Sequence, residues 1–333
     1  MKRILSAAAA LAVLATTAGA ETVWRFNNNY APTRPESGHI RTFAEDVARL
    51  SGGSLKIDVI EGGGMNLKDA DALRWMQTGT PEIAFIWPTF IGRDAPDLAN
   101  LYVYGSVSTA EEHLKALPAV KQALTEGFAE RGIPVVGFMA LPIIDASLFC
   151  REPVTSLADL RTKKLRVGSR EQVETFTALG VAAQIIPQNE LYSALQTGVV
   201  DCALYAARFA QSISLQEVAK HATYSGFPFP PVPYAIVAHQ GSLDKLTDAE
   251  RAALAEATVL LETNSSDFSK DAEAEAAARE ALAAEGVTWH DPLTPAEVEE
   301  IRAAAARTWE TLSAEGGEKA LAYRATISEA LAK

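Results

Sequence analysis

The chain has 333 residues, 30 Lys and Arg against 42 Asp and Glu, a formal charge of −12 and 48% hydrophobic residues. That length is enough for two domains with cores of their own. The acidic balance disfavours nucleic acid and anionic membrane surfaces as partners, but it does not exclude an anionic ligand held in a locally positive pocket.

The first residues have the three parts of a cleaved export signal. Lys2 and Arg3 are basic, Ile4 to Thr16 is an apolar run broken by Ser6 and closed by Thr16, and Ala18-Gly19-Ala20 is a small-residue cleavage site. The mature chain is expected to begin at Glu21 in the periplasm. The run is too short to span a bilayer, which takes about 20 apolar residues. No later segment is long and uncharged, so no stable membrane insertion is expected. An oxidising compartment permits a disulfide between Cys150 and Cys202, the two cysteines of the chain. Two buried free thiols are the other reading.

Strand and helix signals then alternate. Val23 to Phe26 reads as a strand that runs into a polar loop, Asn27 to Pro35. A helix follows from about Ser37 to Leu50, with Ile40, Phe43, Ala44 and Val47 on one face, and Ser51-Gly52-Gly53 ends it. Leu55 to Ile60 is a second strand and Ile83 to Trp87 a third, after a helix over Lys68 to Gln77. Ser108-Thr109-Ala110-Glu111 opens another helix as a capping box, and Ile133 to Met139 is again a strand. A second series begins near residue 142, with strands at Ala146 to Cys150, Lys164 to Val167, Gln184 to Ile186 and Val199 to Leu204. Its helices lie at Gln172 to Leu179 and Glu190 to Thr197. Such alternation implies βαβ units and a largely parallel sheet in each series.

Phe227 to Pro233 is proline-rich and reads as a connector between domains, followed by a strand from Tyr234 to Ala238. The last third is rich in Ala and Glu. Thr247-Asp248-Ala249-Glu250 and Thr294-Pro295-Ala296-Glu297 are capping boxes. Thr247 to about Glu285 reads as one long helix packed across the body, because no heptad survives Thr263 to Ser266. The lobes are therefore expected at residues 21–141 plus about 233–270, and 142–232 plus about 271–333.

Enzyme signatures are missing. His39, His113, His221, His239 and His290 have no metal-ligand spacing, no Cys pair supports zinc, and there is no G-x-S-x-G elbow. Gly62-Gly63-Gly64 follows a strand but lacks the dinucleotide fingerprint and the phosphate-loop Lys. No enzyme, metal or cofactor is expected.

The most specific stretch is Lys163-Lys164-Leu165-Arg166-Val167, then Ala178-Leu179-Gly180, then Glu190 to Asp201 (ELYSALQTGVVD). It resembles the solute receptors of tripartite ATP-independent periplasmic (TRAP) transporters, the DctP type, which show a K-x-R-V strand, an A-x-G helix end and an E-x-Y-x-A-L-Q-x-G-x-V-D run at similar spacing. Weaker likeness over Phe43-Ala44, Ser51-Gly52-Gly53, Gly79 and Glu82-Ile83-Ala84 extends it across most of residues 21 to 240.

The resemblance implies a two-lobed α/β periplasmic binding protein of type II kind that closes over one ligand, with mixed, mostly parallel sheets and a long domain-spanning C-terminal helix. Small and large TRAP membrane subunits would be its partners and a monomer its state. The family's strand arginine, which holds the ligand carboxylate, is Arg166 here. A planar guanidinium matches a carboxylate bidentately; a structural pairing with Asp159 or Glu190 is the rival role.

Asn29, Trp87, Ser169, Gln188 and Tyr205 are the further ligand contacts expected by register, with core, interlobe-packing or turn roles as the alternatives for Trp87, Tyr205 and Asn29. Leu204-Tyr205 stands where some relatives carry metal ligands, so no metal is expected. The family's second arginine near Ala146 is missing, which favours a monocarboxylate. Asp145 is the nearest polar group there and would meet the cationic end of a zwitterion, the second choice. Exported enzyme and ligand-sensing subunit are the rival functions.

Overall fold

The computed structural model describes residues 21–332; the export signal read over residues 1–20 lies outside them. Among the described residues eleven strands form two sheets. They are β1 (Thr22–Asn27), β2 (Leu55–Ile60), β3 (Ile83–Ile86), β4 (Val135–Met139), β5 (Asp145–Cys150), β6 (Lys164–Val167), β7 (Ala182–Ile185), β8 (Cys202–Tyr205), β9 (His221–Pro228), β10 (Tyr234–Ala238) and β11 (Thr288–Trp289). The first sheet has the order β2-β1-β3-β10-β4 and the second β11-β9-β5-β8-β6-β7.

Both sheets are mixed, and the antiparallel members have one cause. β1 pairs in parallel with β2 and β3, but β10 returns from the second half of the chain and lies antiparallel to β3 and β4. In the second sheet β6 is parallel to β7 and β8, while β5 arrives from the first sheet and runs antiparallel to β8 and β9. The strands thus pass between the sheets three times, between β4 and β5, between β9 and β10 and between β10 and β11.

Each sheet is covered on both faces, so its strands read as nearly continuous apolar runs. One face of the first sheet buries Phe26, Ile83 and Ile236 against Ile40, Phe43 and Val47 of the helix Pro35–Leu50 and Leu254, Ala257 and Leu261 of the helix Asp248–Ser265. The other face packs on the helix Ala110–Ala129, joined by Trp309 and Ile327 from the last two helices. In the second sheet Phe149 and Ala203 meet Leu191 and Leu195 of Gln188–Gln196 and Leu282 of Asp271–Ala284. On its opposite face Leu148, Leu165 and Leu204 meet Phe176 of Arg170–Ala178 and Ile301 of Pro295–Glu315.

The long C-terminal helical run extends from Asp248 to Ala284 and changes sheets on the way, with a break at Ser266-Asp267 and a short 3₁₀ turn at Phe268–Lys270. The break gives the crossing segment its anchors: Ser265 Oγ accepts from Ala140 N (2.9 Å) and an Asp271 carboxylate oxygen from Ile143 N (2.8 Å). The helix Pro295–Glu315 packs on both bodies, through Ala305 and Trp309 on one and Ile301 and Ala304 on the other. The final helix, Gly317–Leu331, rests against Ala110–Ala129 of the first.

The capping boxes at Thr247–Glu250 and Thr294–Glu297 are both formed reciprocally. The box expected at Ser108 is displaced by one residue: Thr109 caps the helix by accepting from Glu112 N, and Glu112 reaches back to Ser108 N. Strand β9 differs from the sequence reading, since Phe227 and Pro228 end a strand and leave only Phe229 to Pro233 as connector. Proline is tolerated at that last strand position, where the ladder is ending.

Candidate functional site

β6 lies between β8 and β7, and Arg166 sits near its carboxyl end, opposite Ala203 and Gln184. In open α/β sheets this end of the strands faces the ligand crevice. The motif around Arg166 is its mount. Asp201 receives Lys164 N on a carboxylate oxygen (2.9 Å) and returns its own N–H to Lys164 O (2.9 Å), while Lys164 Nζ donates to Gly198 O (2.6 Å). Gly198 has φ +74°, a left-handed conformation that glycine adopts without cost. The Lys, Gly and Asp of the run therefore register β6 and aim its arginine.

Arg166 is 6% exposed. Its hydrogen bond runs from Nε to Ile186 O (2.8 Å), and neither Nη nitrogen has a protein acceptor among the described residues. Neither rival partner is engaged with it: the Asp159 carboxylate accepts from Thr155 N and its backbone N–H donates to Ser156 Oγ at its own helix start, and Glu190 is exposed. Burial lowers the Arg166 pKa to about 10, because a desolvated cation without a counter-charge is disfavoured. The guanidinium carbon lies 5.6 Å from the centre of the Tyr205 ring. The Tyr205 hydroxyl is buried with no hydrogen-bond partner among the described residues, and burial pushes its pKa up to about 12. A buried cation without a counter-charge beside a buried hydroxyl without a partner is an arrangement that an anion would complete.

The loop after β1 carries Asn29 and Arg34, and Arg34 reaches Gln188 and Phe209 of the second body. Asn29 Nδ2 donates to Leu67 O (3.0 Å) and Asp69 (2.6 Å), while its Oδ1 is buried without a partner, as is the Oδ1 of Asn27. Arg34, which precedes the helix Pro35–Leu50, was hidden in what reads as a polar loop. It is 8% exposed, donates from Nε to the buried Glu36 carboxylate (3.0 Å) and from Nη1 to Gln188 Oε1 (3.2 Å), and its guanidinium carbon lies 4.4 Å from the Tyr30 ring centre and 4.0 Å from that of Phe209. Arg34-Pro35-Glu36 was the available signal, two opposite charges flanking a helix-starting proline.

The remaining expected residues separate. Gln188 joins the group through Arg34. Trp87 is half-buried, donates from its indole to Val232 O (3.2 Å) and packs edge-on against Phe90, and so has a structural contact of its own. Ser169 donates to Glu171 (2.9 Å). Asp145 belongs to a different group of charges: it pairs with Arg279 at 2.6 Å, whose guanidinium lies over Tyr224 and Trp289. Among the described residues, no group of three or more His, Cys, Asp or Glu side chains is placed to hold a metal ion.

Glu171 adds a titration behind the site. Its carboxyl is buried, accepts from Tyr104 N (3.1 Å) and Ser169 Oγ (2.9 Å), and is pushed up by burial from 4.5 to about 7. Between those values the native carboxyl holds a proton that the unfolded chain has released. Stability therefore falls as pH rises through this window, and the loss is complete above it. Glu171→Gln is expected to raise stability at about pH 8, by ~3 kcal/mol at most, and to change it little at about pH 4. Urea midpoints at the two pH values check this.

A family model described as "Bacterial extracellular solute-binding protein, family 7", DctP, matches residues 26–315. A solute-binding protein of Albidiferax ferrireducens is 31% identical over 186 residues, 55% of this chain and 54% of that protein. The ectoine/5-hydroxyectoine-binding periplasmic protein of Ruegeria pomeroyi is 26% identical over 66% of this chain and 65% of its own length. The chain thus spans about half the length of the first of these relatives and about two thirds of the second. A crystal structure of an extracytoplasmic solute receptor from Bordetella pertussis binding pyroglutamic acid superimposes with a TM-score of 0.82 at 22% identity, over 94% of this chain and 100% of that one, which shows the shared fold. With its two mixed sheets, a helical run that passes from one sheet to the other and a family match over most of its length, this chain belongs to the DctP family of bacterial extracellular solute-binding proteins.

Proposed function

We propose that this chain is the periplasmic receptor of a TRAP transporter, that it captures a small monocarboxylate by pairing it with Arg166, and that it delivers the closed complex, as a monomer, to a small and a large membrane subunit. The observation that carries the reading is the buried Arg166 guanidinium, with no counter-charge from the protein, beside the unpartnered Tyr205 hydroxyl. A bound carboxylate supplies the missing charge and acceptor together. The other cation of the group, Arg34, is already neutralised by Glu36. One uncompensated positive charge suits one carboxylate, and pyroglutamic acid and ectoine, the ligands in those relatives' names, carry one each.

In this reading the first lobe comprises residues 21–141 and about 233–270 and the second 142–232 and about 271 onward, with export directed by residues 1–20. Arg166, Tyr205, Gln188 and Ser169 approach the ligand from the second lobe; Asn29, through its free Oδ1, and Trp87 approach from the first. Asp145, held by Arg279, is the least suited of the expected contacts, and this sets the zwitterion reading behind the monocarboxylate. The mechanism is closure without chemistry: a ligand touching both walls favours the closed state by its differential contacts.

Thermal-shift titration of the purified protein with pyroglutamate, other monocarboxylates and C4-dicarboxylates tests this. Monocarboxylates are expected to raise the Tm in proportion to log concentration above the Kd. A dicarboxylate that outbinds every monocarboxylate overturns the ligand class, and a flat response to all acids overturns acid capture.

A further inference from the structure

We propose that Arg34 is an interlobe latch, the residue by which the first lobe grips the second, and that it sets the closed-state population and through it the ligand affinity. The proposal rests on the receptor reading only for its consequence in affinity; the latch itself is a matter of the contacts of one guanidinium.

Those contacts divide cleanly between the two bodies. Tyr30 stacks on Phe85 and meets Tyr234 edge-on, and so belongs to the aromatic group on the first sheet. Phe209 packs edge-on against Tyr205 within the core of the second sheet, and Gln188 opens the helix Gln188–Gln196 that packs there. The Arg34 guanidinium lies within stacking distance of both Tyr30 and Phe209, 4.4 and 4.0 Å from the ring centres, and donates 3.2 Å to Gln188. An aromatic ring attracts a cation placed over its face, and arginine's flat fork stacks on a ring and hydrogen-bonds in its own plane at once.

Glu36 makes this arrangement possible before any ligand arrives. Bonds from Arg34 to both carboxylate oxygens fix the guanidinium and cancel its charge. Burial alone would lower the Arg34 pKa, but the neighbouring carboxylate outweighs it and the pKa is raised. Arg166 has the opposite condition, buried and uncompensated. The two arginines on either side of the Tyr205–Phe209 pair thus divide two tasks. Arg166 waits for an external anion, and Arg34 is self-sufficient and turns one of its remaining donors and one face to the other lobe.

A receptor that binds ligand in the closed form has an apparent affinity reduced by the fraction already closed. Removing the latch should therefore weaken binding although no ligand contact is lost. The experiment is small-angle scattering of ligand-free wild type, Arg34→Ala and Arg34→Lys, followed by calorimetry with pyroglutamate as probe. Ligand-free Arg34→Ala is expected to show a larger radius of gyration than wild type, with the difference removed by saturating pyroglutamate and the Kd weakened about tenfold. Arg34→Lys keeps the charge but loses the planar stack, and is expected to fall between.

Identical ligand-free scattering for wild type and Arg34→Ala overturns the latch. So does a loss of pyroglutamate binding as large as that of Arg166→Ala at unchanged scattering, which makes Arg34 a ligand contact instead. If Arg34→Ala does not fold, Phe209→Leu removes the same contact from the other lobe with its apolar bulk kept, and its scattering is read against the same two outcomes. If wild type takes up no acid, the receptor reading fails, while the ligand-free scattering still decides the latch.

Discussion

Arg166→Ala is expected to reduce affinity for the bound acid at least a hundredfold while leaving the protein folded and no less stable. Two charge-assisted bonds to a carboxylate contribute about 1.5–3 kcal/mol each, which together amounts to two to four orders of magnitude in Kd. The second half of the expectation is the more diagnostic one. A structural arginine stabilises its fold, and its removal leaves a partner unsatisfied. Among the described residues Arg166 has no anionic partner to leave behind, and its pKa, lowered to about 10, means that the native state holds this cation at a cost. Because the folded pKa is depressed, that cost is present at neutral pH and disappears only when the group deprotonates at the alkaline end.

Arg166→Met, which retains more of the side-chain volume, should therefore raise the Tm of the ligand-free protein even as it removes binding. Stability held below its maximum at a functional residue is the usual trade-off. Calorimetry for the acid and a thermal melt without it check both halves. A Tm that falls by several degrees together with retained affinity makes Arg166 a structural residue.

Loss of the disulfide is expected to have the largest effect on stability. Cys150 and Cys202 face each other directly across the antiparallel β5–β8 pair, with Cα atoms 4.1 Å apart, and both are buried. The bridge closes a segment with a sequence separation of 52 residues. For a loop of that size, restriction of the unfolded chain corresponds to about 4 kcal/mol. The double variant Cys150→Ala/Cys202→Ala should therefore denature at a markedly lower urea concentration than the oxidised protein. Reductant should bring the wild type to a similar midpoint and leave the variant where it is.

β8 ends in Tyr205 and lies beside β6 with Arg166, so the bridge also fastens the sheet that carries both residues. Saturating ligand should recover part of the loss, since it binds only the folded form. Equal urea midpoints with and without reductant overturn the stabilising role.

Much of the molecule is legible from residue order because its determinants are local. Alternating βα signals, glycine stops and capping boxes at Thr247 and Thr294 act over a few residues, and the structure forms them where the pattern places them. The strand β9 is the instructive miss: His221 to Ser225 mixes small and polar residues because it lies between β5 and the short β11, and its burial is set by neighbours distant in sequence. The long C-terminal helix was legible as a run, but not its break, because Ser266-Asp267 is interrupted where the run passes from one sheet to the other.

The site divides in the same way. Sequence alone singled out Arg166 for attention, because the Lys164, Gly198 and Asp201 around it belong to the same short motif, and it determined the acidic composition and the two strand series. Only the tertiary structure decided that Cys150 meets Cys202, that Asp145 is taken by Arg279, that Arg166 has no counter-charge and that Arg34 reaches Phe209 and Gln188. Each of these is a pairing between residues far apart in the chain, and whether a charge or a thiol finds a partner depends on the packing of whole sheets and helices. Residue order states which groups are present; the fold determines which of them find a partner, and it leaves the Arg166 guanidinium without a counter-charge among the described residues, beside the Tyr205 ring.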